Sequence, residues 1–325
     1  MTEGPRRALI TGLTGQDGSF LADMLLEDGY EVIGLVRDNA GDSLGAAEHL
    51  RGQVALVTGD LLSPESLTAA VRDLRPDEIY HLAAPTFVPD SWRRPALTVS
   101  AIVGATATLL EAVGEHSPGT RLLVAASAEM FGDAPESPQR EDTPCRPRSP
   151  YAAAKLAAHQ LVGLIRERTG IFACSGILYN HESERRPENF VTRKITRAAA
   201  AIKLGLAGEL SLGDTSAVRD WSFAADIMQG CRLMLAQEQA GDYVLASGIP
   251  HTVQQLLDAA FAHVGLRPGD YVQIDQSLVR TAERTARIGD AGLARAKLGW
   301  EPTMTFEQLI ARMVDADLHR LAASV

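Results

Sequence analysis

A doubly wound α/β fold is predicted by three observations on this sequence. Short apolar runs alternate with helical patterns through the first half, three glycines separate the first strand from the first helix, and 46% of the 325 residues are hydrophobic. Alternation of that kind builds a parallel sheet with helices on both faces. A chain of this size and apolar content buries a large core, as one big domain or two joined ones.

The expected strands run from Ala8 to Thr11, Glu31 to Val36, Val54 to Val57, Glu78 to Leu82, Arg121 to Ala126 and Ile171 to Ile177. Helical segments start at Asp17, Pro64, Pro95 and Tyr151. In the first of these Phe20, Leu21, Met24 and Leu25 share one face, and Gly29 stands where a C-cap belongs. After Tyr179 the polar run NHESERRPENF reads as a loop and opens a second region. Residues 1–178 are therefore assigned to a dinucleotide-binding domain and 179–325 mainly to a smaller, interleaved substrate-binding region. A helix from Trp221 to Leu235 and a strand from Asp242 to Ala246 are expected to return to the first domain, over about 221–247. The span from Arg267 to Arg287 has no clear period and reads as a binding loop.

A net charge of −10 argues against a nucleic-acid partner, because phosphate backbones reward a basic face. Cys145, Cys174 and Cys231 are widely spaced, with no disulfide framework and no metal-ligand spacing, so no metal is expected. No apolar run is read as long enough to span a membrane, and MTEGPRR leads straight into a strand-like run. A cytoplasmic location is expected.

The run TGLTGQDG places Gly12, Gly15 and Gly18 between a strand and a helix, with Gln16 and Asp17 at the helix start. Glycines there let the backbone approach a pyrophosphate, which the helix N-terminus then binds; this is the Rossmann-type arrangement. Beyond the second strand, Arg37 suits the 2′-phosphate of NADP, while the neighbouring Asp38 keeps NAD open.

Tyr151 and Lys155 form YAAAK at the start of a helix, on one face by their spacing. An ammonium near a phenol is expected to lower its pKa, so that the phenolate can take a proton from a sugar hydroxyl. Ser127 and Glu129 follow the strand that starts at Arg121, at the carboxyl end where open α/β sheets bind ligands. The Ser127 hydroxyl can hold the alcohol oxygen. Glu129 points to elimination, since moving hydride on and off one carbon needs no second acid/base group. Once C4 is a ketone, the C5 proton is acidified and a carboxylate can remove it.

On Gly12, Gly15, Gly18, Ser127, Glu129, Tyr151 and Lys155, and on the runs RSPYAAAK, NHESERRPENFVTRKIT, LGDTSAVRDW and KLGWEP, the chain resembles the extended short-chain dehydrogenases/reductases. Within that superfamily it resembles the GDP-mannose 4,6-dehydratase family, over nearly its whole length. The resemblance implies an NADP-retaining 4,6-dehydratase acting on a nucleotide-diphosphate sugar, GDP-mannose or another GDP-linked sugar. It implies that Asp60 and Leu61 lie against the adenine, with Ala83 and Ala84 beneath the cofactor. It places Thr86, Asn180, Glu182, Asn189, Arg193, Lys194, Arg219 and Arg280 near the nucleotide sugar; Arg185 and Arg186 are further cations of the same loop. By analogy, the helices from Pro95 and Tyr151 pair in a homodimer. Ser127 replaces the family's usual threonine, Pro85, Thr86 and Phe87 alter the wall around the sugar, and the segment after Arg37 lacks the family's arginine-serine stretch. Epimerase, 4-ketoreductase and non-catalytic cofactor-sensing readings of the scaffold stay open at this point.

Overall fold

The computed structural model describes residues 4–37, 43–275 and 285–323. Asp38 and Arg280 lie outside the described residues, as does part of the expected binding loop from Arg267 to Arg287.

The chain opens with β1 (Arg7–Thr11), α1 (Gln16–Glu27), β2 (Glu31–Val36), β3 (Ala55–Thr58), α2 (Pro64–Leu74) and β4 (Glu78–His81). It continues through α3 (Val88–Arg93), α4 (Pro95–Val99), α5 (Ala105–His116), β5 (Arg121–Ala125), α6 (Pro150–Thr169) and β6 (Ala173–Leu178). With β10 (Asp242–Leu245) these strands make a seven-stranded parallel sheet in the order β10-β6-β5-β4-β1-β2-β3. Connections run outward to opposite sides from β1 and β4, so a crevice opens where their carboxyl ends part.

Strand alternation divides the core. Ala8 and Ile10 of β1 face Phe20, Leu21 and Leu25 of α1 and Ile227 and Met228 of α8 (Ala224–Leu235). Leu9 points the other way, to Leu67 and Val71 of α2, Leu109 and Val113 of α5 and Val162 of α6. Each fully buried leucine, isoleucine, valine or methionine among these contributes roughly 1.5–3 kcal/mol. Pro95–His116 is continuously helical, the turn Ser100–Gly104 between α4 and α5 being a π-helix. It is long and apolar enough to cross a membrane by length and composition, contrary to the sequence reading, but α2 and α6 pack against its second half.

The second region is a three-stranded sheet in the order β11 (Pro250–Thr252), β9 (Val218–Phe223), β7 (Asn180–Glu182), and a two-stranded pair of β8 (Leu210–Leu212) with β12 (Val272–Ile274). Three helices, α7 (Val191–Lys203), α9 (Val253–His263) and α11 (Phe306–Ala322), enclose its core through Ile195, Leu257, Phe261 and Ile310; α10 (Gly292–Leu298) packs on α8. Thr252 with Gln255, and Thr305 with Gln308, form capping boxes that start α9 and α11.

Three expectations are corrected here. Trp221 to Phe223 are strand rather than helix, because β7 pairs with these three residues, β11 pairs with Val218–Asp220 just before them, and α8 begins only at Ala224. NHE is a strand rather than a loop: its polar residues lack strand character, and pairing with β9 imposes it. Within the span from Arg267, Val272–Ile274 is likewise strand, paired to β8.

Candidate active site

The turn from β1 into α1 is shaped by its glycines. Gly12 has φ +82°, and a Cβ there would lie 2.9 Å from the Ala83 backbone nitrogen. A Cβ on Gly18 would strike Gly12 O at 2.2 Å. Gly15 differs, since its Cβ would meet only Gly12 O at an ordinary 3.4 Å. Its bareness therefore serves the space outside the protein. Gly15 is also the N-cap of α1 without a side-chain cap bond, which leaves first-turn N–H groups free for an anion. Arg37 is exposed at the end of β2, Asp60 is exposed and Leu61 half-buried after β3, and Ala83 and Ala84 are half-buried after β4. A groove with this backbone cradle and these strand ends fits a dinucleotide.

The side chains of Gln16 and Asp17 are committed within the protein. Gln16 donates to Asp17 Oδ1 and His181 O and accepts from Ser183, and Asp17 Oδ2 lies 2.9 Å from His181 Nε2. What they offer a cofactor is backbone. Burial pushes the Asp17 carboxyl up, but the charge and hydrogen bond of His181 outweigh it and hold the group at about 2. His181 Nδ1 sits 2.7 Å from Tyr179 O, so both ring nitrogens face pure acceptors. Burial disfavours the imidazolium, yet Asp17 raises its pKa on balance.

Ser149 caps α6 by accepting from Ala152 N–H, and Pro150 takes the first helical position, which fixes Tyr151 and Lys155 on the first turns. Both are buried. Ser127 follows β5, accepts from Glu129 N–H at 3.2 Å and is close enough to Tyr151 for its hydroxyl to draw the phenol pKa down. Glu129 is near enough to act on the phenol by its charge and Lys155 lies 5.9 Å from its ring centre, so Ser127, Glu129 and Lys155 gather around Tyr151.

The expected lowering of the phenol by the ammonium is not found. Burial pushes Tyr151 up to about 12, the Ser127 hydrogen bond pulls it down, Glu129 adds to the rise and Arg186 opposes it. Lys155 instead donates to Ala125 O at 2.6 Å, 5.9 Å from the Tyr151 ring centre, and burial brings its own pKa down to about 8. Desolvation of two buried groups outweighs their mutual influence.

The residues assigned to the sugar divide. Thr86 and Asn189 are exposed and Asn180 is half-buried. Glu182 is buried, accepts from Thr192 at 2.6 Å and pairs with Arg186 at 3.1 Å, so it orders the loop from within. Arg193 is buried too, with Nε 3.1 Å from both oxygens of Asp317 and Nη1 donating to Arg186 O, so it ties α7 to α11. Lys194 donates to Ser211 O and Arg219 to Val218 O. Three residues were not anticipated in their places. His181 holds Asp17, Arg287 binds Glu129, and Arg186 stacks 3.6 Å over Phe190, whose ring meets Phe87 edge-on, with its charge reaching Tyr151. The sequence flagged the doubled arginine and the span ending at Arg287, but not these partnerships.

A profile of the GDP-mannose 4,6-dehydratase family matches residues 9–313. GDP-mannose 4,6 dehydratase 2 of Arabidopsis thaliana is 46% identical over 97% of this chain and 87% of its own length. The Homo sapiens GDP-mannose 4,6 dehydratase is 39% identical over 96% and 91%. Among solved structures, RMD from Pseudomonas aeruginosa complexed with NADPH superposes with a TM-score of 0.83 at 26% identity, covering 97% of this chain and 99% of that one. With the dinucleotide groove and the Ser127–Glu129–Tyr151–Lys155 cluster in place, these matches settle kinship: the chain belongs to the GDP-mannose 4,6-dehydratase family.

Proposed function

We propose that this enzyme is an NADP-dependent hydro-lyase that converts GDP-mannose to its 4-keto-6-deoxy product. The observation that carries the reading is the nearness of the Glu129 charge to Tyr151, alongside Ser127, because an epimerase or ketoreductase needs only the tyrosine and the hydroxyl. NADP is supported by the backbone cradle at Gly15, by exposed Arg37 and by the NADPH bound to the Pseudomonas relative.

The residues divide the work. Ser127 and Tyr151 bind the C4 hydroxyl, and Tyr151 takes its proton, helped by the positive charge of Arg186. Lys155, tied to Ala125 O, fixes the floor beneath the phenol. Glu129 removes the C5 proton and returns a proton to the C6 hydroxyl, which leaves as water. A dinucleotide held in the glycine-lined groove would supply the acceptor for hydride from C4 and its donor to C6, and the proton that Tyr151 took from the C4 hydroxyl would complete C5. Asn180, Arg186 and Arg219 line the way for the diphosphate sugar, and guanidinium groups suit its phosphates.

We also assign a homodimer, on the surface of α3, α4 and α6. Purified protein incubated with GDP-mannose is expected to yield a product lighter by one water, by mass spectrometry. A product of unchanged mass contradicts the dehydratase and favours the epimerase.

A further inference from the structure

Glu129 does not act from an isolated side chain. Arg287, 158 residues further along, donates from Nη1 to Glu129 Oε2 at 2.7 Å; the arginine side chain is 8% exposed and the carboxylate 27%. No other described residue bonds the Glu129 carboxylate, so Oε1 is left open.

The arginine is held from behind. Its backbone bridges Arg219, Ile288 N–H donates to Gln139 Oε1 at 3.1 Å, and Gly289 N–H donates to Asp220 Oδ2 at 3.1 Å. Gln139 and Asp220 are both fully buried. At Gly289 even a Cβ would collide, 2.4 Å from that of Ala246 and 2.8 Å from the Tyr179 ring. Arg287 thus stands on a rigid track, whereas Glu129 sits on a short 3₁₀ turn, Ala128–Phe131, with a long side chain free to choose rotamers. A charge-assisted bond to one oxygen removes much of that freedom.

We propose that Arg287 is a positioning residue for elimination, clamping one oxygen of Glu129 so that the other meets the C5 hydrogen of the substrate. The inference rests on the dehydratase reading. In the step it serves, the carboxylate takes the C5 proton, the C–H electron pair becomes the C5–C6 double bond, and the C6–O bond breaks. The proton held by Glu129 goes to the departing hydroxyl, water leaves, and Glu129 is a carboxylate again. Arg287 exchanges no proton. Oxidation at C4 falls to Tyr151 and Ser127, which Arg287 does not bond. A misplaced carboxylate should therefore slow elimination and spare the earlier step.

The test compares Arg287→Met and Arg287→Lys with the parent enzyme, loaded with NADP and given GDP-mannose. In Arg287→Met, kcat for product should fall about 100-fold. KM should stay nearly unchanged, and reduced cofactor, followed by its near-ultraviolet absorbance, should accumulate to a level the parent never shows. That accumulation itself reports a folded, substrate-competent site. Arg287→Lys, which keeps charge and bulk, should recover part of kcat, and it carries the same KM-against-kcat split if the methionine variant does not fold. Combining Glu129→Gln with Arg287→Met should be no slower than Glu129→Gln alone, because the arginine acts through the carboxylate. Unimpaired turnover of Arg287→Met, equal loss of both steps, or losses that multiply in the double variant would each overturn the inference alone. A parent enzyme that releases no water from GDP-mannose overturns the dehydratase reading, and this inference with it.

Discussion

Asp17 carries a negative charge onto the first turn of α1, where a pyrophosphate must approach, and the protein answers that conflict with His181. The histidine faces two acceptors, Asp17 Oδ2 and Tyr179 O, so only the doubly protonated ring satisfies both. Arg186 opposes that protonation, but Asp17 prevails. The sign of the stability effect follows from linkage. His181, raised above its ordinary 6.5, contributes fully below that value and loses its contribution as pH rises through the folded-state pKa. Asp17, depressed from 3.8 to about 2, contributes above 3.8 and fades as pH falls towards 2. The pair is strongest between those limits. His181→Asn should therefore lower Tm more at about pH 5.5 than at about pH 8.5; a deficit that is equal, or larger on the alkaline side, would contradict the ion pair. Legibility differs sharply among these residues. Tyr151, Lys155, Ser127 and Glu129 could be read because local spacing and strand ends position them. The partnership of Asp17 with His181 spans 164 residues and Glu129 with Arg287 spans 158, and no local pattern encodes either.

Helices α3 and α4 both pack on α6, and together they expose apolar groups that a lone domain would be expected to cover. Trp92 is 64% exposed and Leu164 62%, with Leu97 and Val99 also open. Such a cluster on adjacent helices favours a two-fold contact, in which the same patch meets itself. Leu164→Glu combined with Trp92→Glu should convert a dimer to monomer in sedimentation equilibrium. A parent protein that sediments as a monomer would refute the assigned face. At this scale the helices were legible where periodicity met a cap: Ser63 and Pro64 open α2, and Ser149 and Pro150 open α6. The short strands were not. Three-residue β7 is too brief and too polar to carry a period, and β9 ends in aromatics that run on into an apolar helix, so neighbouring strands alone decide both.

Taken as a whole, the molecule places its chemistry where sheet order turns around. β1 and β4 are adjacent, their carboxyl ends open the dinucleotide groove, and the ends of β5 and α6 carry Ser127, Glu129, Tyr151 and Lys155. Residues 224–245 come back to this sheet, α8 packing on α1 and β10 pairing with β6, while β9 just before them belongs to the second region. The parallel order could be anticipated, because buried parallel strands read as continuous apolar runs punctuated by helices. The way the second region grips its own arginine was not, since Arg193 looks like any basic loop residue until Asp317 is seen against it. That grip suits burial of a charge only with its partner. The claim on which the whole account turns is that one hydride leaves C4 and comes back to C6 within a single pocket. GDP-mannose deuterated at C4 tests it most directly: the account predicts a 4-keto-6-deoxy product that bears the deuterium at C6 with no net change in cofactor, whereas deuterium retained at C4 or lost to solvent would contradict it.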